Sequence, residues 1–325
     1  MSSRIRSGRC SRASSRPSWP IIAGISSTLQ IEPRRLFEHR PEVDVERLHR
    51  GDSSLGCVSD SPVITFLSDY GLADGFAGIC HGVIATICPE ARVIDLSHGV
   101  PRHDVRAGAV ILRAALPFVP VGVHMAVVDP DVGAQRRAVA LRAEDGRLLV
   151  GPDNGLLSLA SEDAGGVIEA VDISSSAWRL EPVSATFHGR DIFVPVAAHL
   201  AAGQPLASAG SPCDQADLVT LDLPRPRVED GTLISHAVYV DRFGNVQLDA
   251  GHDEISGAGL KIGRSVRIGE HEARYVRTFA DAPGGELMLY EDSARMLAVA
   301  VSNGSAADRL GVAAGDELRI APSSG

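Results

Sequence analysis

The chain has 325 residues, is 44% hydrophobic and 22% charged, and carries a formal net charge of −10. That composition excludes a wholly disordered or fibrous protein. The acidic balance argues against nucleic-acid binding, whose affinity depends largely on neutralising phosphates. No uninterrupted apolar run reaches the ~20 residues of a membrane helix, so no membrane partner is expected. Five cysteines (Cys10, Cys57, Cys80, Cys88, Cys213) lack C-x-x-C spacing, which argues against a zinc ribbon or disulfide framework and fits a reducing cytoplasm.

Residues 1–60 read apart from the rest. Residues 1–31 hold five Arg, many Ser and no acid. This is the pattern of an organelle transit peptide or of a flexible extension, and the second reading is favoured because little there can bury enough surface to offset chain entropy. Regular patterning begins at Ser61. Val63 to Leu67 reads as a buried strand that meets a turn at Ser68-Asp69-Tyr70-Gly71. Phe76, Ile79, Val83, Ile84 and Ile87 then fall on one helical face, ended by Pro89. Arg92 to Ser97 is a second strand, and Asp104 caps a helix that carries Val105, Leu112 and Leu116 inward. His124 to Val128, Ala138 to Leu141 and Leu148 to Val150 are further strands, and Asp191 to Ala202 a last helix before Gly203. Strand and helix alternation predicts a mainly parallel sheet covered by helices over residues 61–215.

A Pro-rich linker is expected at 216–230. Over 231–325 short strands separated by Gly and Asp turns predict a mainly antiparallel β domain, with strands at Leu233 to Val240, Val246 to Leu248, Leu260 to Ile262, Val266 to Ile268, Glu286 to Tyr290, Leu297 to Val301 and Glu317 to Ile320.

Ligands of open α/β sheets bind beyond the carboxyl ends of the strands. The polar residues there are Asp69, His98, His103, Asp104, Asp129, Asp153 and the turn Ser184 to Asp191. Taken singly they are unremarkable. An Asp after a strand is usually a turn former or helix cap, Asp153-Asn154-Gly155 is turn chemistry, Arg136-Arg137 is a solvated pair, and His124 within a strand is structural. The histidines show no H-x-x-x-H or H-E-x-x-H spacing, and the phosphate loop, dinucleotide fingerprint and G-x-S-x-G elbow are all missing, so neither metal nor nucleotide cofactor is expected.

Together the segments are more specific. They are Ser68-Asp69-Tyr70-Gly71 with Asp74; Cys88-Pro89-Glu90-Ala91 leading to Val93 through His98; Val123 through Gly133 followed by Arg136-Arg137; Pro152 through Leu157; Thr186 through Phe193; Asp241-Arg242-Phe243-Gly244-Asn245; and Asn303 through Ala307. In this order they resemble the S-adenosylmethionine (SAM) hydroxide adenosyltransferase family, relatives of the fluorinase and chlorinase. The resemblance spans about residues 63–321. It implies an N-terminal α/β domain, a C-terminal β-barrel-like domain, a homotrimer with sites between subunits, and hydrolysis of SAM to adenosine and L-methionine by displacement at the ribose C5′. It places a water-activating triad at Asp129, Arg136 and His188. It also implies that Asp69 meets the ribose hydroxyls, Phe187 walls the reacting carbon, Phe243 and Phe279 flank the adenine, Asn245 and the backbone near Asn303 read its polar edge, and Asp241 and Ser293 meet the methionine end. SAM is then substrate, with no cofactor and no metal.

Two departures from the family pattern stand out. Asp131 occupies the third position of the Asp129 turn, where the family has Gly, and Ser302 replaces a common Asn. A halogenase is the nearest competing reading. The fluorinase lacks the acid at the Asp129 position, has a Thr at the Val132 position and has Tyr-Ser in place of His188-Gly189, so hydrolysis is favoured. A nucleoside-binding protein with a degraded site is a third reading, sustained by Asp131.

Overall fold

The computed structural model describes residues 61–293 and 295–323; the expected extension at 1–60, with Cys10 and Cys57, lies outside them. The sheet of the first layer holds β1 (Val63–Ser68), β2 (Arg92–Ser97), β3 (Val123–Val127), β4 (Ala138–Ala143), β5 (Leu148–Pro152), β6 (Val167–Asp172) and β7 (Ser211–Pro212). Their spatial order is β2-β1-β3-β5-β4-β6-β7. The contacts β1–β2, β1–β3 and β3–β5 are parallel, while β4 runs against both β5 and β6, and β7 runs against β6. Five of the seven strands therefore share one direction.

Covering helices are α1 (Phe76–Ile87), α2 (Val105–Ala115), α3 (Ser158–Asp163) and α4 (Val194–Ala201). Asp104 caps α2 as expected, its carboxylate accepting the Ala107 N–H at 2.9 Å. On α1 the buried face is Ala77, Cys80 and Ile84. Phe76 and Ile79, expected inside, are 44% and 47% exposed. α1 packs this face against α4 and the π-helical turn, which leaves Phe76 and Ile79 on the outward side. Asp191 to Phe193, expected as the start of a regular helix, belong instead to a π-helical turn over Gly189–Phe193 that leads into α4. Such turns concentrate at functional sites.

The second unit of secondary structure begins with β8 (Arg227–Glu229) and continues through β9 (Thr232–Val240), β10 (Val246–Leu248), α5 (His252–Gly257), β11 (Ser265–Ile268), β12 (His271–Tyr275), β13 (Leu287–Glu291), β14 (Leu297–Val301), α6 (Ala306–Leu310) and β15 (Glu317–Pro322). Because β9 pairs with both β10 and β15, the strands β9, β10, β14, β13, β12, β11 and β15 close into a seven-stranded barrel, with β8 added outside β9. All its pairings are antiparallel except β12 with β13. Closure leaves no open edge in the ring. Leu260 to Ile262 is not a strand. It is the loop that leaves α5, in which Leu260 turns into the core while Ile262 is 49% exposed.

After a 3-10 turn at Gln215–Asp217, residues 219–226 run without regular structure along the first layer. The Val219 N–H donates to Asp153 Oδ1 at 2.9 Å and the Leu221 N–H to Ser158 Oγ at 3.1 Å. Tyr239 of β9 packs against that layer's core, in the cluster that includes residues of α2.

Candidate active site

The ends of β3 and β4 and the π-helical turn converge three polar side chains. Asp129 follows β3, Arg136 precedes β4, and His188 leads into the turn at Gly189. Arg136 Nε donates to Asp129 Oδ1 at 2.8 Å and its Nη2 donates to Asp129 Oδ2. The same Nη2 meets His188 Nδ1 at 2.9 Å. The Asp and Arg side chains are 6% and 9% exposed, so this is a buried bidentate pair. Arg136 also lies over the Phe193 ring, 5.2 Å from its centroid.

The pairing fixes the imidazole. A guanidinium only donates, so His188 Nδ1 must accept, and the neutral ring carries its proton on Nε2. Burial, then the adjacent Arg136 charge, holds the His188 pKa below its ordinary value. The site therefore presents a carboxylate whose oxygens each keep a second acceptor direction on one side of Arg136, and an imidazole on the other whose Nε2–H points away from the pair.

The loop carrying His188 is anchored by Asp191, which is 1% exposed. Its carboxylate accepts the Ser184 N–H at 2.8 Å and pairs with Arg190 at 2.6 Å and 2.9 Å. Burial alone would raise this carboxyl; the Arg190 and Ser184 bonds outweigh it and hold the pKa below the usual range. Phe187 is 9% exposed and packs edge-on against Tyr70 and Phe76, with ring centroids 5.8 Å and 5.2 Å away. Burial, then the nearby Cys80, Asp69 and Asp129 groups, pushes the Tyr70 phenol well above its ordinary value, so this hydroxyl stays protonated. Arg136 and His188 also line a cavity of about 390 Å³ with Arg179, Glu181, Val183 and Ile192.

Asp69 stands at the end of β1, and its Oδ2 accepts the N–H of His103 at 3.0 Å. His103 takes the left-handed conformation (φ 65°), which a non-glycine residue adopts at some cost. Asp131 is exposed and its φ is not positive. The left-handed residue of that turn is Gly133 (φ 82°), whose Cα faces the Ala185 carbonyl too closely for any side chain. The turn thus accommodates Asp131 without strain.

The remaining residues named from the sequence lie on the barrel. Asp241 Oδ1 accepts the N–H groups of Phe243 and Asn245 at 2.8 Å and 2.9 Å, and its Oδ2 accepts Asn245 Nδ2 at 2.8 Å. This Asp is the organiser of the β9–β10 turn. Phe243 is 61% exposed beneath the Arg242 guanidinium, and Asn245 is buried. The turn docks on the segment after β14, where the Ala307 N–H donates to the Gly244 carbonyl at 3.0 Å and Asn303 takes φ 63°. Phe279 packs edge-on against Tyr290 at 5.0 Å. Ser293 is exposed in the turn after β13. Among the described residues no hydrogen bond, ion pair or ring contact joins this barrel group to the Asp129 group.

Two participants carry no assigned role in the sequence reading. Tyr70 and Asp191 both sit inside quoted segments, but only the fold shows the first against Gly189 and the second under the His188 loop. Asp153, expected as a turn former or helix cap, instead accepts from Arg137 Nε at 2.9 Å and from the Val219 N–H, so Arg137 is paired rather than solvated.

Residues 64–210 match the SAM hydroxide adenosyltransferase N-terminal domain and residues 235–319 match the C-terminal domain of the same family. The chain is 52% identical over 264 residues to the (R)-S-adenosyl-L-methionine hydrolase of Salinispora tropica, an alignment that covers 81% of this chain and 99% of that protein. A crystal structure of an uncharacterized conserved protein from Thermotoga maritima superposes with a TM-score of 0.73 at 37% identity, covering 79% of this chain and 99% of that one. The fluorinase of an Actinoplanes species is more distant, at 29% identity over 271 residues, covering 74% and 91% of the two chains. The chain belongs to the SAM hydroxide adenosyltransferase family.

Proposed function

We propose that this protein hydrolyses S-adenosyl-L-methionine to adenosine and L-methionine. The observation that carries this reading is the Arg136 guanidinium held between Asp129 and His188. The C5′ carbon of the substrate is already activated by its sulfonium. As the C5′–O bond forms, the C5′–S bond breaks with its electron pair moving to sulfur, and methionine leaves as a neutral thioether that needs no acid. What the reaction lacks is a competent nucleophile. In this reading Asp129 accepts a proton from the attacking water and passes it on to solvent, while His188 Nδ1 accepts from Arg136 and holds the guanidinium against the carboxylate. Arg136 supplies fixed positive charge where hydroxide character develops. Orientation of the water opposite sulfur is worth up to about 7–11 kcal/mol.

The identity with a curated hydrolase, set against the lower identity with the fluorinase, supports water over halide as the nucleophile. In this reading Asp69 receives the ribose hydroxyls, Phe187 walls the reacting carbon, and the barrel group Asp241, Phe243, Asn245, Phe279, Ser293 and Asn303 receives the adenine and methionine ends. The separation of the two groups within one chain supports a homotrimer in which neighbouring subunits each contribute half a site. The described cysteines Cys80, Cys88 and Cys213 are free, which supports a reducing cytoplasm. Incubation of the purified protein with SAM in heavy-oxygen water tests the reaction. Adenosine labelled at its 5′-hydroxyl is the expected product, and an unlabelled product pair rejects displacement by water.

A further inference from the structure

A second constellation joins α1 to β2 and uses none of Asp129, Arg136 and His188. His81 comes from the middle of α1, Asp95 from β2 and His98 from the residue after β2. His81 Nε2 is 2.9 Å from Asp95 Oδ1, and His98 Nε2 is 3.1 Å from the same oxygen. One ligand atom from each residue lies within 4.8 Å of the other two, the only such grouping among the described residues. The separation in sequence explains why no histidine spacing reveals it.

Each member is held as a metal ligand is held. His98 is 4% exposed, and its Nδ1 meets Ser68 Oγ at 2.7 Å. That bond fixes the ring and aims Nε2 into the cluster, the arrangement by which outer hydrogen bonds orient ligating imidazoles. Despite its nearness to Asp95, His98 Nε2 lacks the alignment of a hydrogen bond and has no hydrogen-bond partner. A buried ring nitrogen so aimed and so left is a second indication of a missing ligand, beyond the clustering itself. His81 and Asp95 have side chains 38% and 40% exposed, which leaves the cluster open to solvent on one side.

We propose that His81, Asp95 and His98 bind a zinc-class divalent cation, with water completing its coordination. Two imidazoles and one carboxylate suit a late first-row ion rather than calcium or magnesium, which take oxygen ligands. Zinc bonds of about 2.0–2.2 Å set tetrahedral ligand atoms about 3.3 Å apart, so the observed spacings need only small adjustments. The ion ties α1 to the edge strand β2. It also steadies the turn at the end of β1, because Ser68 Oγ accepts the Tyr70 N–H at 3.3 Å and the Gly71 N–H donates to the His98 carbonyl at 2.7 Å.

The test is independent of the reaction. The full chain is treated with chelator, dialysed and titrated with zinc chloride by calorimetry, then with cobalt chloride by visible absorption. Wild-type protein is expected to bind one ion per chain, with a tetrahedral-type cobalt spectrum and a raised Tm. His81→Ala, a change at a half-exposed position, abolishes binding, and Ser68→Ala weakens it by about 10-fold to 100-fold. If the wild-type protein binds neither ion, the three residues form only a hydrogen-bonded cluster and the proposal fails. It fails equally if His81→Ala binds as wild type does, since the ion then sits elsewhere.

Discussion

Gly189 lies so close to Tyr70 that a Cβ at position 189 would overlap the phenolic oxygen. The two residues are distant in sequence, and their contact seats the π-helical turn against the end of β1. The placement of His188 therefore depends on a side chain more than a hundred positions earlier in the chain.

Gly189→Ala is expected to force the turn outward, at a cost of about 1–3 kcal/mol for overpacking, and to depress kcat by moving His188 off Arg136. Tyr70→Phe removes the overlapping oxygen. The double variant should recover much of the lost stability and turnover. A double-mutant cycle measured by urea unfolding and by adenosine release checks this, and strict additivity of the two changes rejects the coupling.

Asp129→Asn leaves the Arg136 guanidinium buried without its counter-charge. Removing one partner of such a pair costs about 3–5 kcal/mol, so this variant should lose both turnover and stability. His188→Gln, by contrast, removes no charge and should lose turnover with stability changed by under about 1 kcal/mol. Urea unfolding of the two variants beside their SAM turnover separates the roles.

Acid should inhibit in the pH range where His188 gains a proton. Its pKa is held below the ordinary 6.5, so kcat/KM is expected to be level above that value and to fall only further down. The protonated ring loses the Nδ1 lone pair that Arg136 uses. A pH profile whose acid limb lies above 6.5 contradicts the assignment.

Stability carries a separate pH signature from His124. This residue is fully buried on β3, with Nδ1 3.0 Å from Thr65 Oγ1, and burial, assisted by Arg147, lowers its pKa to about 4. Between 6.5 and about 4 the unfolded chain binds a proton that the native chain refuses. Its contribution is therefore present above 6.5 and is lost as pH falls, on the order of 3 kcal/mol across the window. Urea unfolding across that range should show the slope in wild-type protein and a shallower one in His124→Gln.

Co-expression of His188→Gln with Phe243→Ala tests the shared site. Each variant alone is impaired in a different half. In mixed oligomers about a quarter of the sites combine two intact halves from neighbouring copies, and activity should return in that proportion. Activity no greater than that of the separate variants places both halves in one chain.

The parallel half of the sheet was legible because its strands are short, largely apolar runs ending in turn residues, as at Val63 to Leu67 and Leu148 to Val150. The Asp104 cap was legible for the same local reason. Short helices such as α5 and α6 were not, because five or six residues carry too little periodicity to stand out from a loop. The exposure of Phe76 depends on how α1 seats against α4 and the π-helical turn, which is a matter of packing rather than pattern. Asp129, Arg136 and His188 could be named from motif order, yet their mutual bonds, and the tautomer those bonds impose, arise only when the ends of β3 and β4 meet the turn at Gly189. The barrel could be read as antiparallel strands, but its closure is a long-range pairing of β9 with β15 that no local signal encodes.

That strand has a further consequence. Tyr239 extends from β9 into the core of the first layer, while Leu233 and Ala237 of the same strand face the barrel interior. Pulling β9 out of register therefore opens both interiors at once. Coupled loss of the two cores is expected, seen as a single calorimetric transition in heat or denaturant.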